Sequence, residues 1–227
     1  MNLFDSFLFG IYPYICLVVF LLGSLVRFDR EQYTWKSDSS QLLRRGQLRL
    51  GSNLFHIGVL GLFFGHLFGL LTPSALYHAV GLDAATKQTI AMAAGGVMGT
   101  SAMVGVLLLV HRRLAEERIR VNSRPTDILI LLWIMVTLAL GLASIFVSMG
   151  HRDGAVMLQL AHWAQHLVTL RSDAASFLVG VHPLYKVHLF FGLTLFLLFP
   201  FTRMVHVWSG FATVGYLARA YQVVRAR

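Results

Sequence analysis

A single cysteine, Cys16, stands in a chain of 227 residues. No disulfide can form within the chain, and no cysteine-ligated iron–sulfur cluster can be built from it. Cys16 itself reads as a small apolar packing residue. Charge is also scarce. Charged residues make up 13% of the chain, about half the share of an ordinary soluble domain. Acidic side chains are the scarcest of these, 10 Asp and Glu against 19 Lys and Arg. Only five prolines interrupt the sequence, while 56% of it is hydrophobic. A water-soluble globular domain is excluded.

Long apolar runs are what the sequence does contain. A hydrocarbon core of ~30 Å needs roughly 20 apolar residues per helix. Five stretches meet that length, approximately 4–26, 50–72, 88–111, 127–149 and 185–208. The expected fold is an all-α integral membrane protein, a single bundle of five transmembrane helices with 209–227 as a cytoplasmic tail. The third stretch, with AMAAGGVMGTSAMVG, is weakly hydrophobic but rich in the small residues that close helix packing in membranes uses. The first has no basic residues ahead of it and no small-residue cleavage site behind it, so it reads as a retained helix and not a signal peptide.

The basic residues are distributed unevenly. Fifteen lie in 27–49, 112–124 and from Arg203 onward, against four (Lys87, Arg152, Arg171 and Lys186) on the opposite side. By the positive-inside rule the N-terminus is expected outside and the C-terminus in the cytoplasm. The net charge of +9 then reflects topology and lipid contact, and nucleic acid is not an expected partner.

Ten histidines are present. His78, His111, His151, His162, His166 and His182 fall at span ends or in outer connections, where a solvated or interfacial side chain is expected. His56, His66, His188 and His206 sit instead within apolar runs, where an ionisable side chain is costly and marks a function. The second and fifth spans run antiparallel, so His56 should lie beside His206 near the cytoplasm and His66 beside His188 near the outside. Haem iron held between two histidines is the best candidate for what such pairs bind. The spacing is imperfect: ten residues on the second span rise roughly 15 Å, eighteen on the fifth roughly 27 Å. Tilt and a kink at Pro200 are expected to absorb the difference.

Gly58, Gly61, Gly65 and Gly69 form a nearly smooth helical face, suited to helix packing or to a flat macrocycle or quinone beside His66. Arg203, three residues before His206, suits either a haem propionate or simple snorkelling to the interface. Lys87 opens the third span at a depth close to His66. It could hydrogen-bond a quinone oxygen or snorkel in the same way. A transporter with a histidine relay would be expected to show inverted repeats, and none is evident. A passive anchor would not need four imidazoles in its apolar runs.

At these residues the chain closely resembles the gamma subunit of bacterial membrane-bound respiratory nitrate reductase, a di-haem cytochrome b. The matching stretches are IYPYICLVVFLLGSLVRFDREQYTWKSDSSQ, SNLFHIGVLGLFFGHLFGLLTP, RPTDILIL, HLFFGLTLFLLFPFTRMVHVWS and the ending YLARAYQVVRAR. The resemblance implies two haem b groups, the inner ligated by His56 and His206 and the outer by His66 and His188. It further implies quinol oxidation near the outer haem, with Lys87 and His66 at that site, and menaquinol or ubiquinol as substrate. The partners implied are an iron–sulfur subunit and a molybdenum-containing catalytic subunit on the cytoplasmic side of the bacterial inner membrane. A part in nitrate respiration and nitrate assimilation follows. Formate dehydrogenase and hydrogenase cytochromes b are the nearest rivals, but they usually serve a partner on the outer side.

Overall fold

The computed structural model describes residues 3–31 and 44–209. Five helices are long and apolar enough to cross a membrane: Leu3–Glu31, Arg45–Leu71, Ala84–Ala115, Pro125–Met149 and Pro183–Phe201. They are the first to fifth spans. Lipid offers the backbone no hydrogen-bonding partner, so each apolar run must satisfy its own N–H and C=O groups, and a helix does so locally.

Local chemistry sets the helix starts. Asp83 caps the third span by accepting from the Thr86 N–H at 2.7 Å. Pro125 and Pro183 occupy first-turn positions of the fourth and fifth spans, where proline's missing N–H costs nothing. His182 caps the fifth span, its Nδ1 accepting from the Leu184 N–H.

The spans pack in the order second, third, fourth, fifth, first, an arc with the second and third in the most extensive contact. Glycine allows that contact. A Cβ on Gly58 would lie 2.5 Å from the Ala102 nitrogen and 2.6 Å from the Met98 oxygen, and one on Gly105 would strike the Phe55 backbone. Cys16 is fully buried, as a packing residue should be. Across the arc, Lys186 pairs with Asp5 at 2.8 Å, joining the starts of the first and fifth spans.

Two features differ from expectation. The connection 150–184 is a folded cap. Its helix, Ala155–Val168, and a 3-10 turn, Ala174–Leu178, bury Trp163, Ala164, Leu167, Ala174, Ala175 and Leu178 together with Phe9, Val181 and Tyr185. Gln165 donates to the carbonyls of Leu70 and Thr72 at the end of the second span. Trp163 donates to the Phe9 carbonyl at 3.0 Å, inside a π-helical turn over Phe7–Ile11. Such a turn widens the helix and disturbs its regular bonding.

The second difference corrects the fifth span. It is not one helix over 185–208. The α-helix ends at Leu198, and two 3-10 turns follow, Phe199–Phe201 and Arg203–Val205. Between them Thr202 is extended (φ −123°, ψ 178°). Pro200 cannot donate to the helix and crowds the preceding turn, so the expected kink becomes a full break.

Candidate functional site: two facing imidazole pairs

The second and fifth spans are not packed neighbours in the arc, yet their histidines meet across its interior. The His56 and His206 ring centres are 6.2 Å apart, and those of His66 and His188 are 6.1 Å apart. His56 and His66 are exposed toward this space, while His188 and His206 are half-buried. Ten residues of helix put the two pairs at levels roughly 15 Å apart along the second span.

Each ring is held by the backbone in the same manner. The Nδ1 of His56 lies 2.7 Å from the Ser52 carbonyl, and that of His66 lies 2.7 Å from the Leu62 carbonyl. His188 reaches the Thr137 carbonyl of the fourth span at 3.1 Å. His206 reaches the Arg203 carbonyl at 2.6 Å. A carbonyl can only accept, so each Nδ1 carries the proton and each Nε2 presents a lone pair. This is the arrangement in which imidazole ligates a metal, with the other ring nitrogen fixed by an acceptor.

The pairs fit haem. A ring-centre separation near 6 Å admits one metal atom with nitrogen ligands at about 2 Å on either side. Among the described residues, no three of His, Cys, Asp and Glu gather into a metal site. Two imidazoles are too few for a protein-only centre, which wants four ligands or more. A metal held between such a pair would have to bring its remaining ligands with it, as iron does in a tetrapyrrole.

Two residues that sequence reasoning missed belong to the fourth span. Thr137 supplies the acceptor for His188. Gly141 supplies space for its ring, since a Cβ there would stand 2.9 Å from the His188 Cε1. Glycine on an otherwise apolar helix was the available signal, but only packing shows which ring it admits. All four acceptors are backbone carbonyls, with the Ser52 hydroxyl 3.2 Å from His56 Nδ1 as an addition.

The glycine face divides by height. Gly58 and Gly61 are filled by the third span, Gly61 against Met98. Gly65 and Gly69 meet nothing within 4 Å, which leaves an open face beside His66. The Lys87 ammonium sits 4.2 Å over the Tyr77 ring, a cation–π contact, and no bond joins it to His66 among the described residues. Arg203 meets the His56–His206 site through its carbonyl. The six other histidines occupy peripheral positions: His111 pairs with Gln47, His166 with Asp173, and the His162 ring lies tilted against Phe177. His78, His151 and His182 are exposed.

Fold and site together define a class, a multi-pass membrane protein that presents two levels of facing imidazoles between two of its spans. The comparison with known proteins specifies it further. Residues 5–227 match the model of the nitrate reductase gamma subunit, and the chain belongs to that family. It is 49% identical over 227 residues to respiratory nitrate reductase 1 gamma chain of Escherichia coli K12, covering 100% of both chains. It is 48% identical to respiratory nitrate reductase 2 gamma chain of the same organism, over 98% of this chain and 97% of that one. With nitrate reductase gamma chain of Bacillus subtilis 168 the identity is 37%, over 97% of each chain. The protein is a membrane electron-transfer subunit of a multi-subunit nitrate reductase, resident in the bacterial inner membrane. Two of these relatives are named for respiration and none for assimilation, so the assimilatory role expected from sequence has no support.

Proposed function

We propose that the chain is the quinol-oxidising cytochrome b of its complex, with two b haems between the second and fifth spans. His56 and His206 hold the inner haem iron, His66 and His188 the outer. When bound, the haems supply a one-electron relay across the bilayer, tuned by ligands, hydrogen bonds and burial. One observation carries the reading: all four rings are tied through Nδ1 to backbone carbonyls and meet in two pairs with Nε2 left for a metal.

The protein's own residues have distinct tasks. The carbonyls fix each tautomer and ring plane. The Arg203 guanidinium suits a propionate, because an arginine fork matches a carboxylate. The open face at Gly65 and Gly69 gives a flat quinol head, of menaquinol or ubiquinol, a close approach beside His66. Lys87, held over Tyr77, donates to a quinol oxygen and favours loss of its proton. The basic residues set the orientation, so protons leave to the outside and electrons are delivered inward. The receiving partners are an iron–sulfur subunit and, beyond it, the molybdenum subunit that reduces nitrate. Their docking surface is the basic 27–49 loop and the 209–227 tail. Residues 32–43 and 210–227 of that surface lie outside the described residues.

The test is the dithionite-reduced minus oxidised spectrum of the purified chain, with haem quantified per polypeptide. Two b haems are expected, falling to one in His56→Ala or His66→Ala. A folded, haem-free preparation would turn the assignment to a passive anchor for the partner subunits.

A further inference from the structure

The first span carries none of the paired histidines, yet one stripe of it grips the break in the fifth. Phe20, Gly23 and Arg27 fall at i, i+3 and i+7, one helical face. The Phe20 ring packs edge-on against Phe199 at 4.8 Å and Phe196 at 5.4 Å, and lies 5.6 Å from Trp208. It therefore touches the chain before, within and after the break. Gly23 admits the Pro200 ring, since a Cβ there would lie 2.8 Å from the Pro200 Cγ. Arg27 Nη1 donates to the Pro200 carbonyl at 2.7 Å and to the Thr202 carbonyl at 2.9 Å. Inside a membrane protein, carbonyls released from a helix need such a donor.

The break matters to His206. A straight helix lying parallel to the second span would carry His206 roughly 27 Å from His188, while the partners on the second span are roughly 15 Å apart. Such a helix could close only one pair. Both pairs close here, and the chain between His188 and His206 leaves the helix at Phe199, runs extended through Thr202 and turns again over Arg203–Val205, so its course is no longer bound to the helix axis. The carbonyl that holds the His206 ring belongs to Arg203, the residue immediately after Thr202, whose own carbonyl Arg27 binds.

We infer that the first span is a clamp that sets the height and plane of the His206 ring, and that Arg27 is its positioning residue. Gly23 is the complementary position, where absence of a side chain seats Pro200. The inference rests on the haem reading above and adds a role for a span that holds no haem ligand.

The experiment uses the full-length protein in membranes and reads the low-spin haem signals by electron paramagnetic resonance and redox titration. His56→Ala and His66→Ala assign the two signals. Arg27→Gln, shorter and uncharged and so unable to reach both carbonyls as the Arg27 Nη1 does, is expected to convert the His56–His206 signal to high spin or shift its potential. The His66–His188 signal should stay unchanged and serves as the internal check of folding. Gly23→Ala should act in the same direction, and Arg27→Lys should restore part of the signal. Unaltered signals in both Arg27→Gln and Gly23→Ala would overturn the clamp. So would equal loss of both signals, which would mark general support of the fold. Absence of both from the unmodified chain would remove the haem reading itself, a distinct result.

Discussion

At the scale of single residues, His188 shows how a proposed ligand position is shaped by groups outside its own helix. Its ring lies in a notch made by Gly141 and is fixed by the Thr137 carbonyl one turn away on the same span. A methyl group at position 141 would begin 2.9 Å from the ring. The ring would have to shift, because the spans around it are already close-packed. Gly141→Ala is therefore expected to disturb the His66–His188 site and spare His56–His206. Haem spectra of the variant check this, and loss confined to the His56–His206 signal would contradict it. Lys87 is positioned differently, its ammonium 4.2 Å over the face of Tyr77.

The cap is the element whose role is least like its sequence. It buries the larger of the two apolar core clusters of the described residues against the first span, where a hydrophobic helix otherwise faces lipid. Gly154, at φ +78°, starts it in a conformation that side chains rarely adopt, and a Cβ there would collide with Ala84. The His166–Asp173 contact at 2.7 Å closes its far end. That hydrogen bond holds the Asp173 carboxyl below the usual carboxylate range. A depressed carboxylate value means the contribution is present above about pH 4, the unfolded value, and is lost as pH falls through the lower folded one. Acidification through that window should loosen residues 155–178, and Asp173→Asn should flatten the dependence. The effect is small, because Asp173 is 58% exposed and solvent screens it. Hydrogen exchange of the cap, corrected for intrinsic rate, measures it, and an equal acid response in both proteins would reject the pair's role.

For the whole molecule the decisive property is sidedness. Antiparallel spans put the cap and Lys87 at one end and the 112–124 segment at the other. The proposed release of protons outside depends on which end faces out. Cys16 is buried, so the native chain offers little background to a thiol reagent. Ser172→Cys on the cap and Asn122→Cys on the basic side both fall at exposed positions. An impermeant maleimide applied to intact spheroplasts should label the first and not the second. The reverse pattern would place the basic loops outside and end the outward-proton scheme.

The five spans were legible in the sequence because apolar run length is a local property and lipid imposes one backbone solution on it. The pairing of His56 with His206 and His66 with His188 followed from topology alone, since antiparallel helices facing a common interior bring matched depths together. The cap left a trace, with Leu160, Trp163, Ala164 and Leu167 at helical spacing, obscured by four histidines (His151, His162, His166 and His182) that made the stretch read as a solvated connection. Pro200 announced a kink. The donor that meets the freed Pro200 carbonyl is Arg27, a residue 173 positions away, and the room for the His188 ring comes from a glycine on another span. Those outcomes belong to tertiary structure. A close approach or a shared carbonyl depends on which surfaces meet, and no local pattern in the chain records that.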